Sequence, residues 1–333
     1  MPHRSPKPRG DYPFLDLASY GRWGPGQGHR LLPAQLEQIA RTVRRTPEVM
    51  VKISGGGQSA KAVAAHFSYL SRQDFEIETD DGDQLKGKQR ILALVDDWEL
   101  DLDAAESRSS YRGVSGRKPA KLVHNIVLSM PAGTSTTGVH EASRAFAREQ
   151  FALKHRYALV LHTDQPHPHV HLVVKALSEQ GKRINIRKEN LREWRREFAR
   201  HLRAQGIAAN ATTRAVRGAI KSPKSDGIYR AIRAGRSTHL QERAESVARA
   251  IRAGNTEVEP GRAGLVSTRR EVIRGWLGLS ESLRVDGREG LAQEVQQFLK
   301  NMTPPRTERE SIAQNLVRHT QKHAARDREA RTR

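Results

Sequence analysis

A short segment in the middle of the chain concentrates histidine, the side chain that most often ligates metal ions in proteins. Residues 162–171 read HTDQPHPHVH and contain four of the 14 histidines of the sequence. His169 and His171 occupy alternate positions of a predicted strand, so both imidazoles face one side of a sheet. His162 ends the preceding predicted strand, and a turn brings it alongside the other two. Three imidazoles without a fourth protein ligand are typical of a catalytic metal site that keeps one position open.

Two more side chains of this segment are candidates for supporting roles, as bases or as partners of the ligands. Asp164 follows His162 by two residues, and its carboxylate could accept the free N–H of a ligating imidazole. His167 would lie on the opposite face if the strand extended that far. The expected cofactor is a divalent metal ion, Mg²⁺ or Mn²⁺ because phosphate chemistry uses them, with Zn²⁺ or Ni²⁺ as imidazole-binding alternatives.

Tyr69 is the tyrosine whose position in the sequence best suits an exposed functional group. It belongs to a predicted helix whose apolar positions, among them Val63, Phe67 and Leu70, share one face. At 100° per residue Tyr69 falls on the opposite face, where its phenol can meet a substrate. A phenol needs a base or a nearby cation to act as a nucleophile at neutral pH. An ordinary exposed tyrosine fits this geometry equally well.

Hydrophobic periodicity indicates an α+β fold in which antiparallel strands alternate with helices. The predicted strands cover residues 49–53, 122–130, 157–163 and 169–176, with a hairpin at 75–85 and a short strand at 183–186. The predicted helices cover residues 59–71, 91–105, 137–151 and 189–204. The strand at 169–176 thus supplies two histidines of the predicted metal site and the strand at 157–163 the third.

Composition divides the chain into three regions. We expect a mostly flexible basic arm at 1–47 with a candidate short helix at 34–43, a folded domain at 48–218, and a basic C-terminal region at 219–333 that is mostly helical or partly disordered. Within the last region, residues 265–300 regain apolar side chains and predict a small helical unit. Residues 303–333 are highly charged and predict a frayed tail.

The overall charge points to a polyanionic partner. The sequence has 58 Lys and Arg against 37 Asp and Glu, a formal net charge of +21. Nucleic acid is the first candidate partner and an anionic membrane surface the second. The absence of cysteine excludes thiol nucleophiles, disulfides and Cys-ligated metals. Apolar runs are too short for membrane insertion and the N-terminus lacks a secretory signal, so we expect a cytoplasmic protein.

The predicted helix at 189–204 is the strongest candidate for phosphate contacts outside the histidine segment. An apolar stripe that includes Trp194 and Phe198 predicts its buried face. The alternative is a solvated amphipathic helix in which glutamates pair with the basic side chains. The candidate DNA-binding arginines on the remaining surface are Arg192, Arg195, Arg196 and Arg200.

Three segments, in the same order, resemble the sequence motifs of HUH endonucleases, specifically plasmid conjugation relaxases of the branch that includes the T-DNA border endonuclease. The third motif carries the His169-Val170-His171 pair for which the superfamily is named. The resemblance covers roughly residues 48–218. Its motifs are Ser54–Gly57 followed by Ser68–Arg72, then Val127–Ser135 preceded by His124, and finally His162–His171.

The resemblance implies both a fold and a reaction. The family has an antiparallel sheet of about five strands and binds a divalent metal that polarises a phosphate of single-stranded DNA. Its tyrosine, here Tyr69, attacks that phosphate at an origin of transfer and leaves a 5′-phosphotyrosyl adduct. The enzyme then pilots and rejoins the strand during conjugation. Relatives often carry an acidic residue where this chain has Pro166, so the role of that carboxylate does not transfer.

The resemblance also implies partners and further site residues. Single-stranded DNA at the origin, accessory relaxosome proteins and a type IV coupling protein are the implied partners. A bacterial relaxase acts in the cytoplasm and can be translocated to a recipient cell with its DNA. Ser135 and Arg72 match motif positions expected to contact DNA, and His124 matches a position suited to a base or to a partner of the metal ligands.

Two other functions remain open from the sequence. A rolling-circle replication initiator or a transposase of the HUH superfamily would share the metal-binding histidine pair. A non-catalytic basic DNA-binding protein would use the histidine cluster for a structural metal, and then Tyr69 would have no role.

Overall fold

A computed structural model describes residues 31–72, 75–110, 120–219, 231, 235–254 and 259–331. The chain divides into two compact units. One, the sheet unit, spans residues 45–211; the other, the helical unit, combines the chain up to residue 44 with the chain from 212 onward. This division differs from the predicted ranges because helix α1 (Pro33–Val43) belongs to the helical unit. Residues 1–30 of the predicted arm lie outside the described residues.

The sheet unit is built on six antiparallel strands in the order β1-β4-β6-β5-β2-β3. The fold class is the predicted α+β arrangement, and the sheet has six strands where the resemblance implied about five. The predicted strand at 183–186 reduces to a single bridge between Leu177 and Arg183. The strands are β1 Met50–Gly55, β2 Ile77–Thr79, β3 Gln84–Leu85, β4 Val123–Ser129, β5 Tyr157–His162 and β6 His169–Lys175. The helices are α2 Ala60–Leu70, α3 Lys88–Asp97, α4 Leu100–Ser110, α5 Thr136–Phe151 and α6 Lys188–Ala204.

Helices cover both faces of the sheet, which explains why its central strands read as nearly continuous apolar runs. Helices α5 and α6 pack on one face, where Phe146 and Phe198 are fully buried. Helices α2, α3 and α4 pack on the other face around Phe67 and Trp98. Alternation along a strand therefore sends consecutive side chains into two different cores.

The loop from β1 to α2 requires glycine at two consecutive positions. A Cβ atom at Gly56 would collide with the carbonyl oxygen of Val123, and one at Gly57 would collide with the side chain of Val63. The glycines thus let the start of α2 approach the sheet closely. Ser59 caps the helix, because its side chain accepts a hydrogen bond from the Ala62 N–H at 3.2 Å.

Within the described ranges, the helical unit contains the expected helices at 265–300 and three more. Buried Ile39 of α1 packs in one cluster with Trp276 and Phe298, so this part of the predicted arm is folded. A further helix occupies most of the predicted frayed tail. Among the described residues, none of the helices is both long and apolar enough to cross a membrane. The remaining helices are α7 Thr238–Arg252, α8 Arg262–Val285, α9 Glu289–Lys300 and α10 Glu308–Arg331.

A buried carboxylate joins β2 to α5. Glu78 accepts a hydrogen bond from Arg144 Nε at 2.6 Å and lies 3.3 Å from His140 Nε2. Desolvation alone would raise the pKa of Glu78, but His140 and Arg144 together hold that pKa below its ordinary value. The carboxylate therefore stabilises the folded state in its charged form.

We predict that Glu78→Gln lowers the free energy of unfolding at pH 7 by about 1–3 kcal/mol, because the Arg144 pair is broken. Since the folded pKa is depressed, this contribution is present above the unfolded pKa of about 4.3 and is lost as pH falls through the folded pKa. Urea unfolding at pH 7 and at an acid pH below the folded pKa of Glu78 measures the difference in the free energy of unfolding between the wild type and the variant. Glu141→Gln, which removes an exposed partner of the same arginine, is the control and should have little effect. An equal loss for Glu78→Gln at neutral and acid pH would contradict the assignment.

Candidate metal centre

The pairing of β5 with β6 brings the three predicted histidines together. His162 lies directly opposite His169, and His171 lies opposite Val160. All three imidazoles point to the sheet face that packs against α2. Their ring centroids are 5.2 Å apart for His162 and His169, 4.6 Å for His162 and His171, and 5.3 Å for His169 and His171. One nitrogen from each ring lies within 4.8 Å of the others, which is a spacing that one metal ion can bridge.

Backbone carbonyls fix the orientation of two of these rings. His162 Nε2 lies 2.8 Å from the carbonyl oxygen of Leu70, and His169 Nδ1 lies 3.2 Å from that of His167. Each of these nitrogens therefore carries the proton, which leaves Nδ1 of His162 and Nε2 of His169 as free acceptors. Asp164 was predicted to accept the N–H of a ligating imidazole, but the main-chain oxygens of Leu70 and His167 accept these hydrogen bonds instead.

Unpartnered nitrogen atoms on two of the three rings fit a bound cation. Nδ1 of His162 and Nδ1 of His171 are buried and have no hydrogen-bond partner among the described residues. Buried polar atoms are rarely left unsatisfied in native structures, because desolvation without a partner costs free energy. A divalent ion coordinated by imidazole nitrogens would compensate for that loss.

The cluster favours the neutral imidazoles that metal binding requires. Burial lowers the pKa of all three histidines, and the charged form of a neighbouring histidine lowers it further: His169 acts on His162, His167 acts on His169, and both His162 and His169 act on His171. The pKa of His171 falls to about 3. At neutral pH the rings are therefore uncharged and need not release a proton to bind a metal ion.

Tyr69 lies on the last turn of α2, which packs directly on this face of the sheet. Val63, Phe67 and Leu70 of the same helix are buried as predicted, and Tyr69 is 59% exposed on the opposite side of the stripe. The hydrogen bond between His162 and the Leu70 carbonyl ties this turn to the histidine cluster. The helical turn that carries the candidate nucleophile is therefore bonded directly to one of the candidate metal ligands.

Asp164 and Arg72 bond to each other, whereas the sequence predicted that Asp164 would accept a hydrogen bond from a ligating imidazole and that Arg72 would contact DNA. Arg72 Nη2 donates to Asp164 Oδ2 at 2.9 Å, and the Arg72 guanidinium carbon lies 4.4 Å from the ring centroid of Tyr69. Burial would raise the pKa of Asp164, but the hydrogen bond from Arg72 and the nearby cationic forms of His162 and His169 lower it. The carboxylate is therefore ionised at neutral pH and held by the guanidinium.

The prediction that His124 supports the metal site is wrong. His124 pairs with Val174 in the sheet, and Val174 belongs to the core formed with α5 and α6. Its side chain therefore points to the face opposite the histidine cluster. Burial first, and then the charges of Lys121 and Arg183, lower the pKa of His124 to about 4.

His167 interacts with the cluster through its neighbour His169. Its backbone oxygen lies within hydrogen-bond distance of His169 Nδ1, and its ring stacks on that of His169 with centroids 5.3 Å apart.

The candidate DNA-binding residues lie in separate places. Ser135 caps α5 by accepting a hydrogen bond from the Gly138 N–H at 3.2 Å. The four arginines of α6 are on the helix that covers the face opposite the histidines. Arg200 forms ion pairs with Glu149 and Glu197. This is the pairing with glutamates that the alternative interpretation, a solvated amphipathic helix, predicts. Arg195 donates to the Val51 carbonyl oxygen at 3.1 Å, and Arg192 is exposed.

Two aromatic rings near the cluster did not emerge from the sequence pattern. His66 lies one helical turn before Tyr69, and its Nε2 is buried without a hydrogen-bond partner among the described residues. It is close enough to His171 to lower the pKa of that residue. Phe75 stacks on His162 with ring centroids 4.7 Å apart. The spacing of three residues between His66 and Tyr69 was the available signal for His66.

We predict that His169→Ala weakens Mn²⁺ binding by at least about 100-fold, because one of three ligands is lost. Calorimetric titration of the full chain with MnCl₂ measures the affinity, and circular dichroism checks that the fold is retained. His124→Ala provides a matched control on the same sheet but on its other face, and it should bind Mn²⁺ like the wild type. Equal losses in both variants would argue against the histidine cluster as the site.

Comparisons with known proteins agree with the geometry of this site. Residues 86–207 match the family model described as relaxase, MobA/VirD2-like, nuclease domain. The chain is 26% identical over 209 residues to the T-DNA border endonuclease VirD2 of Rhizobium radiobacter, an alignment that covers 58% of this chain and 48% of that protein. It is also 26% identical over 200 residues to VirD2 of Agrobacterium fabrum, covering 56% of this chain and 44% of that protein. The chain thus spans about half the length of the curated relatives it matches.

Two solved structures share a more distant likeness. The MobM relaxase domain, determined with Mn and with origin DNA of plasmid pMV158, is 16% identical; the match covers 56% of this chain and 97% of that one, at a TM-score of 0.36. A protein from a study of vancomycin resistance transfer in Staphylococcus aureus is 17% identical; the match covers 50% of this chain and 99% of that one, at a TM-score of 0.30. Scores this low add nothing to the family match. The family match and the curated relatives confirm the predicted resemblance: residues 86–207, which include the histidine cluster, are similar to the MobA/VirD2-like relaxase nuclease family, and the chain resembles the T-DNA border endonucleases.

Proposed function

We propose that this protein nicks one strand of DNA at an origin of transfer by attack of the Tyr69 phenol, and that the sheet unit carries the reaction. The observation that supports this most directly is the bond between His162 and the Leu70 carbonyl, which fixes the Tyr69 turn beside three converging imidazoles. An exposed tyrosine that was unrelated to the cluster would need no such connection.

The reaction conserves the energy of one phosphodiester. The phenolic oxygen of Tyr69 attacks the scissile phosphorus, the bond from phosphorus to the 3′ oxygen breaks, and that oxygen leaves as a 3′-hydroxyl after taking up a proton. The strand stays joined to Tyr69 through its 5′ phosphate. Attack by a 3′-hydroxyl reverses the step, so rejoining the strand needs no nucleotide cofactor.

His162, His169 and His171 would hold a divalent cation in this reaction. When bound, the cation would withdraw charge from the phosphate and stabilise the charge that develops in the transition state. Mg²⁺ or Mn²⁺ is the proposed ion because phosphate chemistry uses them, and Zn²⁺ or Ni²⁺ would compete for an all-imidazole set. Neutral imidazole ligands would leave the positive charge of that cation uncompensated, so that it could act on the phosphate.

The remaining roles are proposed by analogy with the T-DNA border endonucleases, to which the chain is similar. Single-stranded DNA at an origin of transfer is the proposed substrate, and accessory relaxosome proteins and a type IV coupling protein are the proposed partners. The protein would act in the bacterial cytoplasm and be translocated with the attached strand. Ser135 is proposed to contact the DNA through the exposed start of α5.

We predict that Tyr69→Phe abolishes the covalent protein–DNA adduct, because the attacking oxygen is removed, while binding to single-stranded DNA stays within about twofold of wild type. The assay incubates the full chain and Mn²⁺ with a labelled oligonucleotide carrying a candidate origin. A denaturing gel resolves the adduct, and peptide mapping locates the attached label.

The matched control is Tyr157→Phe, since Tyr157 is buried with α5 and α6 on the other face of the sheet. This variant should form the adduct normally, and EDTA should stop adduct formation by the wild type. An adduct that survives in Tyr69→Phe would contradict the assignment of the nucleophile. Normal binding without any adduct in the wild type would favour the non-catalytic alternative.

We also propose that Arg192 and Arg196 contact phosphates away from the nicking site. The double variant Arg192→Gln/Arg196→Gln should reduce the slope of log affinity against log salt by up to about 1.4, or about 0.7 for each lost phosphate contact with single-stranded DNA. Fluorescence anisotropy over a range of NaCl concentrations measures the slope. Arg200→Gln is the control, because Glu149 and Glu197 already neutralise that guanidinium. An unchanged slope in the double variant would exclude these contacts.

A further inference from the structure

Arg72 makes three contacts that together fix it between the proposed nucleophile and the turn that separates β5 from β6. Its Nη1 donates to the backbone oxygen of Tyr69 at 3.2 Å, and its Nη2 donates to Asp164 Oδ2 at 2.9 Å. Its guanidinium carbon lies 4.4 Å from the centroid of the Tyr69 ring. This distance is well inside the range of a cation–π interaction, which extends to about 6 Å.

From these contacts we infer that Arg72 is a positioning residue for Tyr69 and that Asp164 orients Arg72; this inference rests on the proposed nicking function. The function proposed above needs the phenol in one place, and a tyrosine that is 59% exposed would otherwise sample several rotamers. A guanidinium stacked on one face restricts the ring and leaves the rest of it open to a substrate. Asp164 prevents Arg72 from turning away to solvent.

The pair also links the nucleophile to the metal ligands by a second route. Asp164 lies in the turn whose two ends are His162 and His169, whereas Arg72 follows the end of α2. The contact between Arg72 and Asp164 therefore spans the same gap as the hydrogen bond between His162 and Leu70. One connection holds the helix backbone to the cluster, and the other holds the side chain of the nucleophile.

A direct phosphate contact is the competing role for Arg72, and it makes a different prediction. As a phosphate ligand, Arg72 would contribute mainly to DNA affinity and to its salt dependence. As a positioning residue, it would contribute mainly to the rate of adduct formation at saturating DNA, because misplacement of an attacking group slows the chemical step. The geometry favours positioning, since both ends of the guanidinium are already engaged within the protein.

The test measures single-turnover adduct formation by the full chain with Mn²⁺ as a function of oligonucleotide concentration. Arg72→Gln should lower the rate constant at saturation by about tenfold or more, while the half-saturating DNA concentration and the Mn²⁺ affinity stay within about twofold. Asp164→Asn should slow the same step. Arg72→Lys should recover only part of the rate, because an ammonium cannot stack flat and bridge two acceptors. Arg148→Gln, on the exposed side of α5, is the control.

The double variant Arg72→Gln/Asp164→Asn decides whether the two residues act as one unit. If Asp164 works through Arg72, the double variant is no slower than Arg72→Gln alone. Additive losses, or a loss of DNA affinity in place of rate, would overturn the inference while leaving the nicking function intact. A wild-type protein that forms no adduct under these conditions would overturn the proposed function, and the inference with it.

Discussion

The register between β5 and β6 is the constraint on which the site depends. It places His162 opposite His169 and lets strand alternation add His171 on the same face. A slip of one residue would send the imidazoles of β6 into the apolar core beneath α5 and α6, because successive side chains alternate between faces. The register is well determined, since the intervening positions Val170, Leu172 and Val174 are fully buried in that core.

Helix α2 adds the second half of the arrangement. Its packing against the sheet through Phe67 and Leu70 leaves its last turn above the histidines, and the glycines before it allow the close approach. The carbonyl groups at a helix end lack partners within the helix. Here the Leu70 carbonyl accepts a hydrogen bond from His162, so a requirement of the helix end also sets the orientation of a candidate metal ligand.

The sequence predicted the parts of this site that depend on local periodicity. Alternation within β6 and the short connection to β5 were sufficient to bring three histidines together, and helical spacing was sufficient to expose Tyr69. The partners of these residues were not predictable, because they depend on how distant elements pack. The contact between Arg72 and Asp164 joins residues 92 positions apart. His124 was misassigned because its motif position carries no information about which face of the sheet it occupies.

Anomalous diffraction from crystals of the full chain grown with Mn²⁺ tests whether the three imidazoles hold a metal ion. We expect one anomalous peak at about 2.1 Å from a nitrogen of each of His162, His169 and His171, on the side of the sheet that carries Tyr69. The absence of a peak between these rings, or a peak held by other residues, would contradict that expectation.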